Sequence, residues 1–230
     1  MNLPLVSCIM PTRDRRRFVE RAIGYFLRQS YPEKELIILD DGDDVLADLI
    51  PDDRNVWYTS LSKPRSVGEK RNMMNALARG EFVAHFDDDD WQHPDRLARQ
   101  VTALMQQSAD RVCGLSSMLY YDMRTHLSWR YTYHDPEKPW VAGNSLMYRH
   151  ALWTRRRFHA QQVCEDIRFL WDEPRLPLLP ITGPLVVGVI HKHNVASKHT
   201  DHPLWHRVPD SEVEGVVGEA DFKFLQEGPY

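Results

Sequence analysis

The chain has 230 residues, enough for one domain with a full core. Hydrophobic residues make up 42% and charged residues 27%, which excludes a disordered or fibrous chain, and a formal net charge of -4 gives no general attraction to nucleic acid. Cys8, Cys113 and Cys164 form an odd, widely spaced set without a Cys-x-x-Cys pair, which excludes a disulfide framework and a zinc finger and fits a reducing cytoplasm.

Met1 runs into a strand-like segment without a basic, apolar, small-residue signal pattern. No apolar run approaches the length of a membrane span, so a soluble, cytoplasmic protein is expected. Leu5 to Met10 reads as a buried strand stopped by Pro11, followed by the Arg-rich loop Thr12 to Arg17. Phe18, Ala22, Ile23, Phe26 and Leu27 recur at helical spacing and predict an amphipathic helix ending before Pro32. The unbroken apolar run Leu36 to Leu39 predicts a strand covered on both faces, ending in Asp40-Asp41-Gly42-Asp43-Asp44. Val56 to Thr59 is a third strand, and Val67 to Arg79, carrying Met73, Met74, Ala76, Leu77 and Ala78, is a helix closed by Gly80.

Glu81 to Phe86 is then a strand that runs into Asp87-Asp88-Asp89-Asp90. Four adjacent carboxylates repel one another, so a fold that gathers them at a strand end needs a cation or hydrogen-bond donors there. Such hard oxygen ligands suit Mg²⁺ or Mn²⁺, which take their remaining ligands from substrate phosphates and water, so a nucleoside diphosphate is the natural partner. The plainer account is an acidic turn capping a helix that begins at Pro94, with Asp90 or His93 near its start. Capping explains one acid and not four.

Leu97, Val101, Leu104 and Met105 mark the next helix. From Val112 the pattern changes to short strands at Leu115 to Tyr121, Leu127 to Tyr133 and Asn144 to Tyr148, with a loop from His134 to Trp140 and a helix from His150 to Arg156. The segment Cys164 to Trp171 predicts a helix presenting Glu165 and Asp166 at its start. Leu185 to Ile190 is a last buried strand ending in His191-Lys192-His193-Asn194, and the tail from Ser197 reads as ordered loop with a helix after Ser211 whose spacing to Glu214 matches a capping box. The alternation predicts an α/β fold with a mostly parallel central sheet flanked by helices and a mixed second half, its ligands at the carboxyl ends of the strands.

Acids at Asp41, Asp87 to Asp90 and Asp166, with His191, thus stand at the ends of predicted elements, and the combination resembles the family 2 glycosyltransferases of the GT-A fold. The motifs that carry the resemblance are Val6 to Arg15, Asp40-Asp41-Gly42, Gly68-Glu69-Lys70-Arg71-Asn72, Asp87-Asp88-Asp89 with Pro94 following, Glu165-Asp166, and His191-Lys192-His193-Asn194. They run from Leu5 to about Asn194.

The resemblance implies a single GT-A domain with a nucleotide-sugar donor half over 1-110, an acceptor half over 111-195 and a C-terminal tail over 196-230. It implies a metal-dependent inverting transfer from a nucleoside diphosphate sugar, a UDP-sugar for choice, to an acceptor hydroxyl on a carbohydrate, lipid-linked or other acceptor. Asp166, aided by Glu165, matches the general base. Asp89, with Asp87 and with His191 or alternatively His193, would hold Mn²⁺ or Mg²⁺. Asp87 or Asp88 would meet the ribose or a metal-bound water, with Asp90 behind them. Asp41 would accept a hydrogen bond from the base, and Pro11, Thr12, Arg13, Gly68, Arg71 and Asn72 would complete the donor site.

Arg71 and Lys70 have the stronger phosphate case among the cations, since they adjoin a helix start. Of Arg13, Arg15, Arg16 and Arg17, three suit a solvated loop. Arg155-Arg156-Arg157 leaves room for peripheral membrane contact, and Trp140, in a loop, is the tryptophan best placed to stack on a sugar. Two rival functions share these features. One is a metal-dependent nucleotidyltransferase, whose Gly-rich, Lys-containing N-terminal loop is absent here, and the other is a non-catalytic nucleotide-sugar or cation-binding module.

Overall fold

A computed structural model describes residues 3-133, 135 and 137-228, so His134 and Pro136 of the expected loop lie outside the described residues. The first half alternates as expected: β1 (Val6–Thr12), α1 (Arg16–Leu27), β2 (Lys34–Asp40), β3 (Val56–Ser60), α2 (Val67–Leu77) and β4 (Phe82–His85). After β5 (Trp91–Gln92) and α3 (Arg96–Met105) come β6 (Val112–Leu115), β7 (Ser117–Asp122), β8 (Leu127–Thr132), β9 (Met147–Arg149), α4 (His150–Arg155) and α5 (Glu165–Trp171). The chain ends with β10 (Leu178–Ile181), β11 (Val186–Ile190), β12 (Trp205–Val208), α6 (Asp210–Val217) and α7 (Glu219–Glu227).

The central sheet has seven strands in the order β10-β6-β9-β4-β1-β2-β3. Strands β4, β1, β2 and β3 are mutually parallel, and only the pairs that β9 makes are antiparallel. A second sheet, β12-β8-β7-β11-β5, takes its β5 edge from the two residues that follow the acidic cluster, with Trp91 opposite Val187. The four acids therefore form the bridge between the two sheets.

Pro11 does not stop β1. It pairs in register with Leu39 of β2, whereas β4 pairs no further along β1 than Ile9 opposite His85, so its missing N–H falls where the other neighbour has already ended. Nor do the acids cap a helix: α3 starts at Arg96 after Asp95, and β5 intervenes. Helix α2 is present, but its inward face is Gly68, Lys70, Arg71, Met74 and Asn75, while Met73 and Leu77 face solvent. Its start is a capping box between Ser66 and Glu69, and no side chain caps α6, where Ser211 and Glu214 had suggested one.

Candidate functional site

The carboxyl ends of β1, β2 and β4 open into one cavity of about 910 Å³, closed on the far side by Trp140, Gly143 and the start of α5. Pro11, Thr12, Arg13, Asp41, Lys70 and Arg71 line it on one side, the four acids form its floor, and Glu165 and Asp166 lie on its far wall. Residues from distant parts of the sequence are thus brought together. Gly68, Asn72 and His191 are not in its lining, His191 being buried against Asp89 instead. A β-carbon at Gly68 would lie 1.8 Å from the His159 carbonyl oxygen, so that glycine serves close packing. Asn72 Oδ1 accepts from Trp153 Nε1 at 2.9 Å and from the Phe158 N–H at 3.0 Å, which makes it a strut between α2 and the second half.

Each acid of the loop has its own set of partners, and Asp88 and Asp89 share Arg15. Asp87 Oδ1 accepts from Arg71 Nη2 at 3.2 Å. Asp88 accepts from the Thr12 hydroxyl and from Arg15 Nη1, both at 2.7 Å. Asp89 Oδ2 faces Arg15 Nη1 and His191 Nε2, each at 2.9 Å, and Asn194 Nδ2 at 3.3 Å. Asp90 accepts from the Val189 N–H at 3.0 Å and from Asn144 Nδ2 at 2.5 Å, fastening the loop to β11. Burial pushes the Asp90 carboxyl well above its ordinary range, and the charges of Asp89 and Asp87 add to this. Burial acts on Asp89 in the same direction, but the Arg15 charge and the His191 hydrogen bond overcome it and hold Asp89 down to about 2.

These contacts explain the His-x-x-Asn pattern. Asn194 Oδ1 accepts the His191 N–H at 2.7 Å, and its amide donates to the Val189 carbonyl at 3.0 Å, so Asn194 fixes the turn that carries His191 to Asp89. His193 contributes its carbonyl oxygen to Arg15 Nη2. A carboxylate with an imidazole is a donor set that suits Mn²⁺ or Mg²⁺. Among the described residues no three His, Cys, Asp or Glu side chains gather at metal-ligand spacing. Asp89 and His191 are the pair that could hold such an ion, with a bound substrate supplying further oxygens.

Asp41 and the α2 cations are engaged with one another. Lys70 Nζ is 2.7 Å from Asp41 Oδ1 and 3.0 Å from the Thr12 carbonyl, and the Arg65 N–H donates to Asp41 Oδ2 at 2.7 Å. Arg71 joins the two halves of the cavity, with Nε on Glu165 at 3.0 Å, Nη2 on Asp87, and Nη1 buried without a partner among the described residues. Burial and the neighbouring Asp166 charge push the Glu165 carboxyl up, against the opposing pull of Arg71.

Asp166 follows Cys164, whose φ of 65° gives the tight left-handed entry to α5. Its carboxylate lies against Gly143 so closely that a β-carbon there would be 1.7 Å from Oδ2. His85 in turn fixes Gly143: its Nδ1–H donates to the Gly143 carbonyl at 2.7 Å, which leaves Nε2 unprotonated and without a partner among the described residues. Sequence reading missed His85 and Gly143, since a lone histidine in an apolar strand and a lone glycine in a loop carry no motif.

Burial, reinforced by the Arg71 charge, holds the His85 pKa well below its ordinary 6.5. The folded chain then binds fewer protons than the unfolded one below that value, so stability is full above pH 6.5 and falls by up to about 1.4 kcal/mol per unit as pH drops further. Urea midpoints measured from pH 7 to 5 should fall accordingly, and less so in His85→Asn. Equal slopes in both proteins would remove His85 from the account.

Residues 7–166 match the family model described as Glycosyl transferase family 2. The putative teichuronic acid biosynthesis glycosyltransferase TuaG of Bacillus subtilis is 31% identical over 150 residues, 61% of this chain and 60% of the relative. Two solved structures share the fold: the mannosyltransferase PcManGT of Pyrobaculum calidifontis, in complex with GDP-Man and Mn²⁺ (TM-score 0.64, 15% identity, 84% of this chain and 59% of that one), and S. aureus TarS 1-349 in complex with UDP (TM-score 0.60, 17% identity, 81% and 60%). The chain spans about half the length of the curated relatives it matches. Among the described residues no helix is long and apolar enough to cross a membrane.

Proposed function

From its place in glycosyl transferase family 2, to which this chain belongs, we propose that it transfers a sugar from a nucleoside diphosphate donor, a UDP-sugar, to an acceptor hydroxyl with inversion at the anomeric carbon and a bound Mn²⁺ or Mg²⁺. The observation that carries this reading is one cavity lined by both Asp89 and Asp166, with the buried His191 held against Asp89 Oδ2 at 2.9 Å. The residues named for the ion are Asp89 and His191; Asp87, directed at Arg71, contributes through that arginine instead. When bound, a divalent ion neutralises charge on the departing diphosphate.

The rest is done by the chain itself. Arg71 Nη1, a buried donor at the cavity wall without a partner among the described residues, suits a diphosphate oxygen. Asp166 takes the proton of the acceptor hydroxyl as its oxygen attacks the anomeric carbon, and the bond from that carbon to the diphosphate breaks on the opposite face. Attack opposite the leaving group inverts the centre. A retaining route through a covalent intermediate would need a second free carboxylate at the sugar, and Glu165 is held by Arg71.

Trp140 and Tyr120 in the cavity wall suit an acceptor whose hydroxyl sits on a sugar ring, carbohydrate or lipid-linked. Calorimetric titration of UDP with Mn²⁺ and again with EDTA is the direct test. Binding should be at least about tenfold tighter with the metal, and Asp89→Ala should erase the difference. Equal binding in EDTA would remove the metal from the reading, and preference for GDP over UDP would move the donor to a guanine nucleotide.

A further inference from the structure

Of the four arginines at the mouth of β1, one is turned inward. Arg13 meets Asp14 at the surface, Arg16 meets Asp44 and Asp48, and Arg17 lines a separate groove beside α7. Arg15, the residue just before α1, places Nη1 between Asp88 and Asp89 at 2.7 and 2.9 Å and Nη2 on the His193 carbonyl, and only 15% of its side chain is exposed. It links the loops after β1, β4 and β11. One turn further along α1, Phe18 packs on the His191 ring at 4.7 Å between centroids, so α1 braces the same histidine.

The guanidinium and a divalent cation need the same oxygen. Asp89 Oδ2 is the atom on which Arg15 and His191 both converge. Two adjacent buried carboxylates are unstable without a positive charge between them, and Arg15 supplies it on the Asp89 oxygen that an ion held by Asp89 and His191 would also need. The proposed function gives the same cavity a diphosphate, which offers a guanidinium paired acceptors of the kind it loses on leaving the loop.

We propose that Arg15 is an exchangeable internal counter-ion: it holds the acidic loop closed when the donor is absent and passes from Asp88 and Asp89 to the diphosphate when metal and nucleotide arrive. The inference rests on the proposed function for its ligands and goes beyond it in assigning their mutual enhancement to the release of Arg15. Metal alone must displace Arg15 without offering it a new partner. Nucleotide supplies that partner, so each ligand favours the state the other needs, and by linkage the enhancement is equal in both directions.

The test is calorimetric titration of the full chain with MnCl₂, alone and with saturating UDP, in the unaltered protein and in Arg15→Gln and Arg15→Lys. The unaltered chain should bind Mn²⁺ weakly alone and much more tightly with UDP. Arg15→Gln, which keeps polar bulk but removes the charge, should bind Mn²⁺ alone about tenfold or more tighter and lose a similar factor from the UDP enhancement. Arg15→Lys keeps the charge and should remain close to the unaltered chain. Arg15→Gln binding Mn²⁺ alone no tighter, while the unaltered chain still binds it with UDP, would overturn the counter-ion and leave the metal-dependent reading standing. Tightening in Arg15→Lys equal to that in Arg15→Gln would overturn it too, since space rather than charge would then be the obstacle. No Mn²⁺ binding by any of the three proteins with UDP would bring down both.

Discussion

Asp166→Asn is expected to bind UDP in the presence of Mn²⁺ as the unaltered chain does and to turn over about 10² to 10⁴ times more slowly, roughly 3 to 5 kcal/mol of barrier. The amide keeps the size of the carboxylate and can still accept the Ile167 N–H that Asp166 Oδ1 accepts at 2.8 Å, so the start of α5 should be undisturbed. Only the proton acceptor is lost. Hydrolysis of a UDP-sugar by water is the assay while the acceptor is undefined, because the same base activates water in the acceptor's place.

Glu165→Gln should behave differently, since Glu165 is spent on Arg71. Its loss loosens the arginine and should weaken nucleotide binding more than it slows turnover. Gly143→Ala is the complementary variant: the new β-carbon would meet the Asp166 carboxylate, displacing the base while leaving its chemistry intact. It should reproduce the loss of turnover with nucleotide binding kept. Near-normal hydrolysis by Asp166→Asn together with an inactive Glu165→Gln would transfer the proton to Glu165, and full activity in both would end the single-base mechanism.

What could be read from the sequence was the part written in contiguous patterns. The runs Leu36 to Leu39 and Glu81 to Phe86 announce buried parallel strands because both faces are apolar, and acids at their ends announce a site because burial of like charges needs a reason. The α5 start and the β11 end were legible in the same way. The parts that were missed depend on who meets whom in space. Nothing local in Arg13 to Arg17 tells which arginine turns inward; that is decided by the entry of α1 beneath the β4 loop.

Helix α2 misled the eye because its apolar residues Met73 and Leu77 are exposed while Lys70 and Arg71 are buried, a reversal sustained by Asp41, Asp87 and Glu165 from three other elements. The spacing after Ser211 predicts a helix, but the sequence reads as loop over β12 and carries no sign of the break into α6 and α7. This region gains its order from packing: Trp205 against Tyr120 and Tyr131, and Asp221 accepting from Trp91 Nε1 at 2.9 Å and from Arg28 at 3.0 Å. Tertiary contacts override weak local propensity there.

That reversal in α2 changes what removing Asp41 should do. Read as a base-binding residue, Asp41 would cost only nucleotide affinity when replaced. In the fold its carboxylate is 1% exposed and its Lys70 partner 6%, so Asp41→Ala strands an ammonium in the interior and leaves the Arg65 N–H without its acceptor. Breaking one side of a buried pair commonly destabilises by about 3 to 5 kcal/mol, a large share of the stability of a domain. Urea denaturation of the nucleotide-free chain should show that loss.

Lys70→Met alone leaves a buried carboxylate and should also destabilise, whereas the double variant Asp41→Ala/Lys70→Met removes both charges and should recover much of the loss, a coupling that a double-mutant cycle reads directly. If Asp41→Ala unfolds at the same urea concentration as the unaltered chain, Lys70 has found another partner in the cavity and the pair does not hold α2 in place. Unchanged stability with nucleotide affinity sharply reduced would return Asp41 to the base pocket, and then the ammonium that it holds at 2.7 Å in the ligand-free chain would have to be released when the nucleotide binds.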